Sequence, residues 1–230
     1  SGKHSLGIFF EHVTNLMNMR ELEDEGKVMA LANYAYPIPD KDNPLLEFIQ
    51  VDGLEVKCKY STLKMYDELK KILWRYPSEQ FAYMAQRVLE IKILELVKNG
   101  LSATALNRVA LAGGVFSNIK VNMLIRTLPE VEECFVFPHM GDGGLALGAA
   151  LTVNYELNGV YSYPLNDVFL GTGYSEDQIK SVINASGLEY SYCENIEEET
   201  ATLISQGNII FWFQGRMEYG PRALGHRSIL

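Results

Sequence analysis

One stretch constrains the chain more than any other. Arg108-Val109-Ala110-Leu111-Ala112 is a short apolar run, Gly113-Gly114 follows it, and Asn118–Thr127 has helical periodicity. The pattern then repeats: Glu133–Phe137 is a second run, Gly141–Gly144 a second glycine turn, and Leu145–Asn158 an Ala-rich helix. Strand, glycine turn and helix repeated in this order point to an α/β fold with a parallel or mixed sheet covered by helices.

The flanking sequence fits around that unit. Ser5–Phe10 is an apolar run suited to a buried strand or a strand–helix junction, and Glu21–Asn33 a polar turn and short helix broken at Gly26. The prolines at 37, 39 and 44 mark a loop; a hairpin over 45–60 and a charged helix over Leu63–Trp74 follow. The clearest helix starts at Ser78, a candidate N-cap, and runs to Gly100. Tyr161–Asn166 reads as a linker, which gives a first domain over 1–160 and a second over 167–230. The second holds helices over Ser175–Ser186 and Ile196–Gln206, a strand over Ile209–Phe213 and a Gly/Arg-dense loop over Gly215–Gly225.

Composition narrows the function classes. Of 230 residues, 47% are hydrophobic and 21% charged, so a disordered or fibrous chain is excluded. Twenty basic against 29 acidic side chains leave a charge of −9, which argues against a nucleic-acid groove. No apolar run reaches the roughly 18 residues of a membrane span, and Ser1–Ile8 lacks signal-peptide character. Three scattered cysteines favour a reducing cytoplasm.

Four motifs carry the candidate chemistry. Gly113 and Gly114, between strand and helix, let the backbone approach a ligand closely, and Asn118 can donate and accept on a ribose or base edge; a plain tight turn is the other reading. Asp142, in Gly141-Asp142-Gly143-Gly144, is placed where ligands collect in α/β sheets and can bind a metal or cap the next helix, with His139 as a candidate second ligand. Glu25 and Lys27 can hold ribose hydroxyls and a phosphate, or form a solvated charged turn. Arg216, Arg222 and Arg227, spaced by glycine and proline after an apolar strand, suit phosphate and carboxylate-like groups. The last fifteen residues hold those three arginines and one glutamate, a positive pole on an acidic chain.

Taken together and in this order, the motifs resemble those of the carbamoyltransferases of the nodulation-protein-U and cephalosporin/tobramycin carbamoylation type. The matching segments are His4–Gly7, Glu25–Ala32, Leu111–Asn118, Gly141–Ala150 and Gly207–Leu230; the family pattern has Gly at the place of Ala30 and Asn at that of His226. The resemblance implies that residues 1–160 are the second lobe of an actin/Hsp70/sugar-kinase-like (ribonuclease H-like) nucleotide-binding domain. It implies that 167–230 begin a YrdC-like α/β domain. It implies ATP-dependent O-carbamoyl transfer, in which carbamoyl phosphate and ATP give a carbamoyl-adenylate and the carbamoyl group passes to a small-molecule or sugar hydroxyl. Carried over, Glu25, Lys27, Gly113, Gly114, Asn118 and Gly143 would bind the nucleotide, and Asp142 a divalent metal (iron or magnesium). Arg216, Arg222 and Arg227 would form the catalytic anion pocket.

Two departures accompany the resemblance. The family's paired metal histidines, four residues apart, have no counterpart among His4, His12, His139 and His226. The YrdC-like part is shorter than a domain of typical size, on the order of 150 residues. The chain therefore reads as an internal fragment of a longer enzyme, with a second copy of itself among the partners the resemblance implies. The alternatives are a sugar-kinase-like phosphotransferase, which would need no arginine-rich tail, and a non-catalytic nucleotide-binding module.

Overall fold

The computed structural model describes residues 4–230; the first three residues, where the reading of the chain start partly falls, lie outside the described residues. The fold is mixed α/β, with eight α-helices and three two-stranded sheets among the described residues. By their contacts the residues group into two units, one ending at Asp142 and one over Gly143–Leu230.

The first unit opens with α1 (Leu6–Leu16). A strand or junction was the expectation for Ser5–Phe10, but the apolar spacing does not stop at Phe10. Leu6, Phe9, Phe10 and Val13 fall at i, i+3, i+4 and i+7 and bury one helical face, while the Ser5 hydroxyl accepts the Ile8 N–H at 3.3 Å as an N-cap. The next helix, α2 (Glu25–Leu31), runs through Gly26 instead of breaking there. Gly26 sits in the first turn, and burial of Val28 and Met29 outweighs its propensity cost of about 1 kcal/mol.

A hairpin pairs β1 (Ile49–Asp52) with β2 (Glu55–Cys58), Ile49 opposite Cys58. Then α3 (Thr62–Leu73) leads to α4 (Ser78–Thr104), 27 residues long. Ser78 is the first helical residue and makes no cap hydrogen bond, because Pro77 takes the cap position. The helix passes through Gly100 and stops where Ala105 turns left-handed at φ 55°. Its first half is the centre of the core: Phe81, Ala82, Met84, Ala85 and Val88 are fully buried. Each large apolar side chain buried this way contributes about 1.5–3 kcal/mol.

Past α4, the expected alternation is present. β3 (Arg108–Leu111) pairs in parallel with β4 (Glu133–Val136), Arg108 opposite Glu133 and Leu111 opposite Val136. The crossover between them carries α5 (Ile119–Arg126), whose Val121 and Ile125 join the core.

The second unit begins with α6 (Leu145–Asn158), ended by Gly159 at φ 65°. This helix, placed with the first domain by sequence, groups instead with the residues that follow it. Next come α7 (Glu176–Ser186), with a Ser175/Gln178 capping box, and α8 (Ile196–Ser205). A hairpin closes the chain: β5 (Phe211–Phe213) pairs antiparallel with β6 (Arg227–Ile229), so the Gly/Arg segment is a hairpin loop. No helix among the described residues is long and apolar enough to cross a membrane. Cys58, Cys134 and Cys193 are all free thiols.

Candidate functional site

In the first unit, both glycine turns follow the carboxyl ends of the parallel strands, and the structure brings them together. The Gly113 N–H donates to the Met140 carbonyl at 2.6 Å, and a Cβ built on Gly141 would lie 4.0 Å from Gly114 Cα. Gly113 has φ 114° and ψ 152°, a conformation open to glycine alone; a side chain there would cost about 1–3 kcal/mol. The same added Cβ would meet no atom within 4 Å at Gly113 or Gly114, so the space beside both is open.

Asn118 stands at the N-cap of α5 and is buried. Its Oδ1 accepts the Val121 N–H and the Gln86 amide, each at 3.2 Å, and its Nδ2 donates to Gln86 Oε1 at 2.7 Å. Three of its amide's four hydrogen bonds are therefore spent on the protein. Gln86, from the buried face of α4, was not singled out by sequence; a lone glutamine within an apolar helical stripe was its only signal.

Glu25 and Lys27 act on their own turn. Glu25 Oε1 accepts the Leu22 N–H at 2.7 Å, and exposed Lys27 pairs with Asp24 at 2.7 Å. Lys27, with the Arg20 N–H, holds the Asp24 carboxyl below its ordinary range. Asp142 is exposed at the end of the second glycine turn. Asp142 offers one carboxylate there, and among the described residues no three His, Cys, Asp or Glu side chains converge.

In the second unit, the loop between β5 and β6 is organised by Glu218, which sequence reading passed over. Its side chain is fully buried. One oxygen accepts three backbone N–H groups, from Leu224 at 2.9 Å, His226 at 2.7 Å and Arg227 at 3.2 Å; the other lies 3.3 Å from Arg227 Nε. Burial pushes the carboxyl pKa up, yet the backbone donors together outweigh it and leave the group below its ordinary value. The signal available in sequence was that Glu218 is the only acid among the three arginines of the last fifteen residues.

The arginines divide by role. Arg227 turns onto Glu218 and onto the Gly220 and Arg222 carbonyls. Arg216 is exposed and clasps the preceding segment, its Nε donating to the Gly171 carbonyl at 2.6 Å. Arg222 is half-buried in the loop. Gly171 takes this close approach because it has no Cβ, which would lie 2.9 Å from the Met217 backbone N. His226 stacks flat on Phe169, 3.6 Å between centroids, with its Nδ1 2.7 Å from the Arg216 carbonyl. The Tyr219 hydroxyl donates to the Gly143 carbonyl at 2.9 Å, so Gly143 anchors the arginine loop.

Comparison with known proteins is consistent across the chain. The family model described as carbamoyltransferase N-terminus matches residues 1–151, and that described as carbamoyltransferase C-terminus matches 201–230. An uncharacterized protein of Methanocaldococcus jannaschii is 33% identical over 98% of this chain and 39% of its own length. Nodulation protein NolNO of Sinorhizobium fredii is 32% identical over 90% of this chain and 32% of its own. Nodulation protein NolO of Bradyrhizobium diazoefficiens is 32% identical over 99% of this chain and 43% of its own. The chain spans between about a third and less than half the length of these relatives.

Proposed function

Because the chain belongs to the carbamoyltransferase family, we propose that it is part of an ATP-dependent O-carbamoyltransferase. In this reading water splits carbamoyl phosphate into carbamate and inorganic phosphate, and a carbamate oxygen attacks the α-phosphate of ATP, giving a carbamoyl-adenylate as the α–β phosphoanhydride bond breaks and pyrophosphate leaves. An acceptor hydroxyl then attacks the carbamoyl carbon, the new C–O bond forms, the bond to the adenylate phosphate breaks, and AMP leaves. The acceptor is a small molecule or sugar. Residues 1–160 are read as the second lobe of an actin/Hsp70/sugar-kinase-like domain and 167–230 as the opening of a YrdC-like domain.

The observation that carries the reading is the pair of family matches, at 1–151 and 201–230, which take in the glycine turns and the arginine loop. The chemistry asks for two things: neutralised phosphate charge and a held alcohol. Open space beside Gly113 and Gly114 suits a phosphate or ribose approaching the backbone. Arg222, half-buried in the loop, is the arginine assigned to the adenylate phosphate, with a guanidinium fork that suits such an anion. The reading keeps Asp142 as one ligand of a divalent metal, iron or magnesium, which would polarise a phosphate or carbonyl oxygen; among the described residues no three His, Cys, Asp or Glu side chains converge beside it.

The test is made on the full-length protein with carbamoyl phosphate, ATP and a panel of hydroxyl acceptors. AMP, pyrophosphate and inorganic phosphate are the expected products beside the carbamoylated acceptor, and Arg222→Ala is expected to abolish AMP formation while the protein still melts cooperatively. ADP as the product would favour a sugar-kinase-like phosphotransferase, and ATP binding without any turnover would favour a nucleotide-binding module. Unchanged turnover in the Arg222→Ala protein would remove the arginine loop from the chemistry.

A further inference from the structure

A second concave site lies wholly within the first unit. It is a pocket of about 500 Å³ between the segment after α2, one flank of α4 and the start of α5. That volume falls in the range of small-molecule sites, roughly 300–1,000 Å³.

Both carboxylates of the lining are held by one arginine. Arg87 meets Asp40 side-on, Nε to Oδ1 at 2.8 Å and Nη2 to Oδ2 at 3.0 Å, and its Nη1 reaches Glu90 at 3.1 Å. Gln86 Nε2 donates to the other Glu90 oxygen at 3.1 Å, and Lys120 bonds to the Asn33 side chain. Two cations and two carboxylates cancel. The Arg87 fork holds the Asp40 carboxyl below its ordinary range, and the two carboxylates in turn raise the Arg87 pKa. An anionic ligand would have to compete with carboxylates already seated on Arg87, which leaves it little to gain.

The remaining wall is apolar but not greasy: Pro37, Ile38 and the ring of Tyr83. A tyrosine ring offers a flat face with a hydroxyl at the tip. Paired planar groups beside such a face match a ligand that carries many hydroxyls, exposes C–H faces and has no net charge.

The geometry points to a binding site for a neutral polyhydroxyl compound, of the size of a mono- or disaccharide, in this pocket. Its hydroxyls donate to Asp40 and Glu90 and accept from Lys120, which has two ammonium protons beyond the one given to Asn33. Gln86 both lines the pocket and bonds Asn118, so the site is one side chain from the cap of α5. That the bound compound is the carbamoyl acceptor rests on the transfer reading above; the binding itself does not.

The test is a titration of the full chain with glucose, cellobiose and maltose, and in parallel with glucose 6-phosphate and inorganic phosphate, followed by calorimetry and ligand-observed NMR. Neither ATP nor carbamoyl phosphate is present, so its failure is separate from failure of the transfer chemistry. A neutral sugar is expected to bind, and Lys120→Ala and Glu90→Gln are each expected to weaken it at least fivefold with the melting temperature unchanged. Three outcomes would overturn the site: no neutral sugar binds, inorganic phosphate binds in preference, or both variants bind as well as the parent.

Discussion

At the scale of single residues, Glu218 has the most consequence. Its carboxylate is ionised below the usual range because three backbone donors favour the charged form more than burial opposes it. A folded-state pKa depressed from the unfolded value of about 4.3 adds stability that is complete above that value and fades as pH falls through the folded one. Protection of the Leu224, His226 and Arg227 amides, corrected for intrinsic exchange, is therefore expected to hold from neutrality down to the unfolded value and to be lost as pH falls further, through the lower folded one. Glu218→Ala is expected to show at neutral pH at least tenfold of that loss, about 1.4 kcal/mol; equal protection in both proteins at pH 7 would show that the loop stands without its carboxylate. Sequence could not display this role, since the partners of Glu218 are main-chain N–H groups, which every residue but proline carries. Asn118 was visible as a polar residue at a helix start, but its commitment to Gln86, 32 positions away, needed the packing of α5 on α4.

At the scale of elements, legibility followed length and periodicity. The Ala-rich helix α6 has the bounds its sequence pattern gives, and α4 differs at its cap, which Pro77 takes, and at its end, where a glycine proved weaker as a stop than a left-handed alanine. A short apolar run is ambiguous between strand and helix, and α1 was decided by Val13, beyond the run itself. Within α4 the load is concentrated near its start. Phe81 is fully buried, and Phe81→Ala is expected to cost about 3–5 kcal/mol, read from urea unfolding midpoints. By the same measure Leu106→Ala, at a residue 63% exposed just past the helix, should stay within about 0.5 kcal/mol. Similar losses at the two positions would contradict the placement of the core.

At the scale of the whole molecule, the hydrophobic core belongs to the first unit: its buried cluster runs from Leu6 to Ile125. In the second unit the buried residues are Val168, Thr200 and Glu218, while Leu145, Leu157, Tyr161, Val182 and Phe211 are exposed. Amides in the middle of α4 are expected to exchange only by global unfolding, and those of α7 and α8 at least a hundredfold faster in this chain, by hydrogen exchange with mass spectrometry. Equal protection would place a core in the second unit that its side chains do not show. The α/β class and the turns that position the glycines were readable from the alternation of runs, whereas the grouping of α6 with the later residues was not, because contacts and not composition set that division. The hairpin loop after β5 carries a consequence for how such proteins diversify. Its contour is written in peptide bonds gathered on one oxygen, so Pro221, Ala223 and Leu224 are passengers on a rigid frame. Descendants of this chain can rewrite those positions, and with them whatever the loop greets, without having to reinvent its shape.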